Sequence, residues 1–150
     1  MIWDHFEASN SLASLLRDAK AEGKVRILRS HIQLDQNEGI QNKDRLDRIL
    51  ALREEFEEMQ VPTSITLLGT SRLGESRLAS KVADEKLTSL VNMGTANLKD
   101  KKDAILAVTA FEHGAILVTE DIALRKRAIR ESVDTLNLFE LSKRLEVSAS

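Results

Sequence analysis

The stretch Gly114-Ala115-Ile116-Leu117-Val118-Thr119-Glu120-Asp121 decides the fold predicted for this 150-residue chain. Residues 115–119 form a continuous apolar run, which is typical of a strand covered on both faces. A small-residue helix is predicted over 100–113, before the run, and a second helix over 122–130, after it. Because parallel sheets are built from strands that alternate with helices, the stretch predicts an α/β fold in which 115–119 is the most buried strand.

The same alternation extends along the rest of the chain. The hydrophobic pattern predicts three further strands, at 25–29, 64–68 and 135–139. It also predicts four further helices, at 9–22, 43–59, 76–93 and 141–145. With no linker and enough length for one core, the chain is expected to be a single α/β domain over 1–150, with a central parallel sheet and helices on both faces.

Composition excludes several classes of protein. The absence of cysteine rules out disulfide frameworks, zinc–thiolate sites and thiol nucleophiles. Lysine and arginine number 22 against 24 acidic residues, so the chain is no globally basic nucleic-acid coat. No apolar run approaches the roughly 20 residues of a membrane span, and the start of the chain lacks the basic segment of a signal peptide. We therefore expect a cytoplasmic protein that is not associated with a membrane.

Carboxylates gather at one predicted edge of the sheet. In open parallel sheets, ligands bind at the carboxyl ends of the strands. Asp35 follows strand 25–29, Glu120 and Asp121 follow strand 115–119, and Asp103 lies in the first turn of the helix that leads into that strand. Crowded carboxylates repel one another unless a cation lies between them. Mg²⁺ and Mn²⁺ prefer such oxygen ligands, so we expect Asp35, Asp103 and Asp121 to bind one of them.

Each of these acids also has a purely structural interpretation. Asp121 precedes a helix and is a good N-cap residue. Asp103 in a first turn would complement the helix dipole. Asp35 is compatible with an ordinary surface position. The metal-site interpretation rests on the expected convergence of all three at one edge of the sheet.

The stretch from Asp103 to Ala110, followed by 114–121, resembles the C-terminal half of a PIN domain. That family shows there an acid, a small-residue helix, a glycine, an apolar strand and then Thr-x-Asp or Thr-x-Asn. The resemblance implies a three-layer PIN-like fold and a Mg²⁺- or Mn²⁺-dependent ribonuclease, with RNA as substrate. Asp103 and Asp121 match the family's third and fourth acidic positions, and Thr119 matches the hydroxyl residue beside the fourth. Many members are toxins, so an antitoxin-like partner and a homodimer are also implied.

The chain departs from the PIN pattern at two places. The family's second acid falls on Gln36, with Asp35 and Glu38 nearby as possible substitutes. The family's first strand, which ends in Asp-Thr-Asn or Asp-Ser-Asn, has no counterpart, because residues 1–6 resemble the segment that comes after that motif. We therefore expect that the chain is truncated at its N-terminus, that its start is misassigned, or that it is a decayed member of the family. In the family's strand order 3-2-1-4-5, loss of strand 1 would leave a gap of about 10 Å between its neighbours.

Basic residues flank the predicted acidic edge of the sheet. Among them, Lys102, Arg125 and Lys126 are expected to contact the phosphates of RNA, although a solvated helix surface explains the same pattern equally well. Lys99 and Lys101 belong to the same basic flank.

Two functions follow as hypotheses. The first is a Mg²⁺- or Mn²⁺-dependent endoribonuclease of the PIN type that hydrolyses RNA phosphodiesters, with Asp103, Asp121 and Thr119 as its catalytic residues. The alternative is a catalytically impaired PIN-like module that binds RNA or a partner protein.

Overall fold

A computed structural model describes residues 5–6, 8–30, 40–62, 80–92 and 95–149 of the chain. The helices and strands that lie wholly within these ranges make a mixed α/β protein in which helix predominates. In chain order they are α1 (Asn10–Ala21), β1 (Ile27–Arg29), α2 (Lys43–Phe56), β2 (Glu57–Gln60), α3 (Lys81–Leu90), α4 (Leu98–Glu112), β3 (Leu117–Val118), α5 (Ile122–Arg130), β4 (Thr135–Leu136) and α6 (Leu138–Ala149). None of these helices is long and apolar enough to cross a membrane.

The helix boundaries follow from local capping chemistry. Four helices begin after a residue whose side-chain oxygen accepts a hydrogen bond from a backbone N–H three residues further on, namely Ser9, Ser80, Asn97 and Asp121. Gly23 and Gly114, with φ of +70° and +60°, adopt the left-handed conformation just after α1 and α4. The helices predicted over 9–22 and 122–130 are accordingly confirmed.

The strands form two separate parallel pairs. β1 pairs with β2, and β3 pairs with β4. The α/β class and the parallel pairing are therefore confirmed. Within the described residues the two pairs are not joined into one central sheet. The predicted strand over 64–68 lies outside the described residues, and the three-layer PIN arrangement stays a prediction.

The structure corrects several predicted boundaries, of which one helix and one strand change most in character. The helix predicted over 43–59 ends at Phe56, because residues 57–60 pair with β1 as a strand. The strand predicted over 135–139 ends at Leu136, because Asn137 caps a helix that begins at the next residue. The side chain of Asn137 accepts the Glu140 N–H at 2.8 Å, and the Glu140 carboxylate accepts the Asn137 N–H at 3.0 Å. This reciprocal arrangement is a capping box.

The prediction that 115–119 is the most buried strand is wrong. Only Leu117 and Val118 form a strand, both are half-buried, and Ile116 is 38 % exposed. Within the part of the chain that the structure describes, β3 has a partner strand along one edge only, whereas a fully covered central strand has a neighbour on both sides.

Two hydrophobic cores flank the strand pairs. The first joins α3, α4 and α5 through buried residues that include Leu87, Ile105, Val108 and Ala128. The second joins α1, α2 and α6 through residues that include Leu16, Ile49, Phe56 and Leu145. The spacing of Leu46, Ile49, Leu50 and Phe56 predicts that all four face the core, but Leu50 is 41 % exposed.

Candidate functional site

Asp103 and Asp121 reach the same point from different helices. Asp103 lies on α4, and Asp121 lies at the N-cap position of α5. The sequence pattern predicts that Asp103 lies in the first turn of its helix. Because α4 begins at Leu98, Asp103 lies instead in the second turn. Asp100 is the acid of the first turn. A role for Asp103 in offsetting the dipole of the first turn is therefore wrong.

The two carboxylates share one cation, the ammonium group of Lys99. The Nζ atom of Lys99 lies 3.1 Å from Oδ2 of Asp103 and 3.3 Å from Oδ2 of Asp121. Because both oxygens contact one nitrogen, they are at most about 6.4 Å apart. The structure thus brings together two of the three predicted metal ligands around a positive charge.

The environment of the site favours the charged form of Asp121. The backbone N–H of Leu124 donates to Oδ1 of Asp121 at 2.9 Å. This bond, followed by the hydrogen bond and charge of Lys99, lowers the pKa of Asp121. The hydrogen bond and charge of Asp103, followed by those of Asp121, raise the pKa of Lys99. The Asp103 side chain is only 13 % exposed, whereas that of Lys99 is 69 % exposed. The lysine side chain therefore has solvent beside it into which it can turn.

Thr119 supports Asp121 through the backbone. Its hydroxyl oxygen accepts a hydrogen bond from the Asp121 N–H at 3.1 Å. The contact holds the residue before α5 in the extended conformation that an N-cap requires, with φ of −72° and ψ of 103°. Thr119 therefore positions Asp121, and its own contact is with the main chain of that residue and not with the carboxylate.

The described residues supply two carboxylates to this site. The third predicted ligand, Asp35, lies outside them, as do Gln36 and Glu38. Within the described ranges, no group of three or more His, Asp or Glu side chains could hold a metal ion. Two carboxylates still suit Mg²⁺, which is commonly held by one or two of them together with waters and substrate phosphates. A shared ion would bring the two oxygens within about 4.2 Å, since Mg²⁺–oxygen distances are ~2.1 Å.

The three predicted RNA-binding residues differ in availability. Arg125 is already paired, because its Nη2 atom lies 2.6 and 2.5 Å from the two carboxylate oxygens of Glu140. Lys126 is exposed and Lys102 is half-buried. Of the three, Lys126 is the one best placed to meet a phosphate backbone.

Lys99 and Glu140 are the residues whose roles sequence reasoning missed. The sequence pattern places Lys99 in the basic flank, although its i,i+4 spacing to Asp103 is typical of an ion pair on a helix. Glu140 stands three residues after Asn137, which is the spacing of a capping box. Both signals are readable in the sequence, but the meeting of Lys99 with Asp121 depends on how α4 and α5 pack together.

Comparisons with known proteins do not add to this picture. No protein-family model, no curated protein and no solved structure matched the chain. The resemblance to PIN domains therefore stays a prediction based on residues 103–121.

Proposed function

We propose that the chain is a Mg²⁺- or Mn²⁺-dependent endoribonuclease of the PIN type that hydrolyses RNA phosphodiesters. The observation that supports the proposal is the convergence of Asp103 and Asp121 on a single positively charged nitrogen. Two carboxylates against one ammonium leave a net negative charge, which favours a divalent cation in place of Lys99.

Each residue of the site has a defined part in this proposal. Asp103 and Asp121 would hold the ion, Thr119 and the N–H of Leu124 keep Asp121 in position, and Lys126 would contact RNA phosphates. A divalent ion held there supplies Lewis-acid activation of water and offsets charge on the phosphate. The exposed side chain of Lys99 would turn outward and pair with a phosphate oxygen of the RNA.

A second function is favoured by the same contacts. Because the Lys99 ammonium already bridges both carboxylates, the site is also compatible with a catalytically impaired PIN-like module that binds RNA or a partner protein. In either case we propose a cytoplasmic protein. An antitoxin-like partner and a homodimer remain part of the proposal.

The experiment that separates the two functions uses the N-cap role of Asp121. Asparagine caps helices as well as aspartate does, so Asp121→Asn removes the charge and keeps the cap. Wild-type protein and Asp121→Asn, purified identically, are incubated with a fluorogenic single-stranded RNA in millimolar Mn²⁺, with and without a chelator. The nuclease proposal predicts cleavage by the wild type only, and none after chelation. RNA binding without metal-dependent cleavage would support the second function, and equal cleavage by both proteins would refute the proposed site.

A further inference from the structure

A cavity of about 540 Å³ lies between the two strand pairs. β1 and β3 both line it, together with residues of α1, α4 and α6 and of the segments that lead into β1 and β3. We call this space the strand cleft, and its apolar lining includes Leu16, Leu28, Leu106, Ala110, Val118 and Leu145. Its volume falls within the range of about 300–1,000 Å³ that is usual for ligand pockets.

Among the described residues, the backbone edges that border the strand cleft have no partner strand. In β1 the carbonyl of Arg29 accepts the Val61 N–H on the β2 side, and in β3 the Leu117 N–H donates to Asp134 on the β4 side. Because the backbone groups of successive strand residues alternate between the two edges, those of Leu28 and Val118 face away from the existing partners. Both residues line the strand cleft, and no further strand pairs with β1 or β3 among the described residues.

A buried hydroxyl group beside the strand cleft is also available to hydrogen-bond a bound polypeptide. Thr109 lines the strand cleft and is 4 % exposed. Its hydroxyl oxygen has no hydrogen-bond partner among the described residues, although buried polar groups nearly always have one. A polypeptide backbone in the strand cleft could donate to this oxygen or accept from it.

The charges around the strand cleft limit what it can accept. The described lining residues include four basic side chains and no carboxylate, the basic ones being Lys24, Arg26, Arg29 and Arg144. Lys24 is already paired with Glu22 at 2.6 Å, which lies outside the lining. A ligand with a negative charge at one end and an apolar body would match this distribution.

We propose that the strand cleft binds an extended apolar peptide segment of another polypeptide that carries an acidic residue at one end. The segment inserts as a strand between β1 and β3 and forms backbone hydrogen bonds with both edges, which is the β-augmentation mode of peptide recognition. This binding function is independent of the proposed nuclease activity, because the groups that it uses are the backbones of Leu28 and Val118 and the hydroxyl of Thr109.

The chain itself offers a suitable probe. A synthetic peptide with the sequence of residues 115–121, Ala-Ile-Leu-Val-Thr-Glu-Asp, combines an apolar strand with an acidic end. Calorimetric titration of this capped peptide into the full 150-residue protein is expected to show saturable one-to-one binding in the micromolar range. Absence of binding at millimolar peptide would overturn the proposal.

Methylated peptides test whether both edges are used. One peptide is N-methylated at its Ile and Val positions, and the other at its Leu and Thr positions, so that each loses donors on one side of the strand. Insertion between β1 and β3 predicts that both peptides bind at least about 10-fold more weakly, the size expected for two lost backbone hydrogen bonds. Weakening of one peptide alone would mean addition to a single edge and would contradict insertion. Unchanged binding of both would reduce the strand cleft to an unspecific apolar pocket.

A matched pair of variants locates the binding site. Ala110→Phe fills the strand cleft from α4, whereas Ala51→Phe adds the same ring at an exposed position of α2. The proposal predicts a loss of peptide affinity of at least about 10-fold in the first variant and none in the second. Equal affinities in the two variants would overturn it.

Two further measurements keep the test decisive. If Ala110→Phe does not fold by circular dichroism, the methylated peptides decide the question on the wild-type protein. Sedimentation of the protein without peptide tests whether a second copy of the chain fills the strand cleft. A dimer that blocks peptide binding would overturn the proposal.

Discussion

At the N-terminus of α5, Asp121 caps the helix with one carboxylate oxygen and contacts Lys99 with the other. At the N-terminus of α6, both carboxylate oxygens of Glu140 accept hydrogen bonds from Arg125. We refer to Lys99, Asp103 and Asp121 as the α5 cluster, and to Arg125, Asn137 and Glu140 as the α6 cluster. Both are built from a helix cap and a basic side chain.

The two clusters differ in charge balance and in closure. In the α6 cluster one guanidinium is paired with one carboxylate, and Arg125 is 26 % exposed. The Glu120 carboxylate lies at the same helix end, where it accepts the Leu138 N–H at 2.6 Å. The α5 cluster has two carboxylates for one ammonium, and that ammonium belongs to a side chain that is 69 % exposed. A carboxylate that is paired with a shielded guanidinium serves the fold, whereas two carboxylates that share one exposed ammonium have the charge to bind a cation in its place. We therefore expect the α6 cluster to stabilise the fold and the α5 cluster to bind a cation.

The largest effect that we expect concerns activity and the α5 cluster. Asp103→Asn should lower RNA cleavage at least about 100-fold, the size typical of losing a group that stabilises transition-state charge. Its stability cost should be only about 0.3–0.5 kcal/mol, since the variant loses an i,i+4 ion pair. Initial cleavage rates and urea unfolding measure the two quantities. A large loss of stability with the activity of the folded fraction unchanged would assign Asp103 to the fold.

The next effect concerns stability and the α6 cluster. Asn137→Ala should destabilise the protein by about 1 kcal/mol, because it removes an N-cap side chain. Urea unfolding measures this difference, and Asn137→Asp, which keeps a capping oxygen, is the control. Cleavage and Mn²⁺ affinity of the folded variant should not change. A loss of Mn²⁺ affinity in Asn137→Ala would contradict the division of roles between the two clusters.

The clusters should also respond to acid in a defined direction. The pKa values of Asp121 and Glu140 are both lowered in the folded protein, by backbone hydrogen bonds first and by their basic partners second. A lowered pKa contributes stability that is present above the ordinary value of about 4 and is lost as the pH falls through the folded value. Urea unfolding at about pH 6 and about pH 3 should therefore show a decrease in stability. The decrease should be smaller in Asp121→Asn than in the wild type. An equal decrease in both proteins would mean that the contacts of the Asp121 carboxylate do not stabilise the fold.

The smallest effect concerns RNA affinity. Lys126→Gln should weaken RNA binding and reduce the slope of log affinity against log salt by about 1, as expected for one lost phosphate contact. Arg125→Gln should leave that slope unchanged, because its guanidinium is paired with Glu140. Fluorescence anisotropy at several salt concentrations measures both slopes, and the reverse order would exchange the roles of the two residues.

The features that the sequence predicted correctly are those determined by neighbouring residues. The helix Ile122–Arg130 was predicted to the residue, because the Asp121 cap and the apolar spacing agree. β2 was missed because Glu57–Gln60 has no local strand signal and becomes a strand only through pairing with β1. The start of α6 was missed because an apolar run, which indicates a strand, overlaps the Asn137 capping box.

In the candidate site, too, local features could be predicted from the sequence and contacts between helices could not. That Asp103 and Asp121 lie near each other could be predicted, because the chain order helix, glycine, strand and acid places both at one end of the same unit. The role of Lys99 could not, because its bond to Asp121 spans α4 and α5 and depends on their packing. Local chemistry thus identifies the carboxylates, and tertiary packing identifies the cation between them.

The most direct test of the central claim, that the α5 cluster is a cation site, is a calorimetric Mn²⁺ titration of the wild type, Lys99→Met and Asp103→Asn. Removing the competing ammonium should tighten Mn²⁺ binding roughly 10-fold, the size expected for one unit charge near 4 Å in a dielectric close to that of water, where the exposed Lys99 lies. Asp103→Asn should abolish binding, and circular dichroism confirms that each variant is folded. Tighter binding in Lys99→Met together with none in Asp103→Asn is the result that we predict. Equal Mn²⁺ affinity in all three proteins, or no binding in Lys99→Met, would contradict the claim and leave Lys99 as a permanent part of the fold.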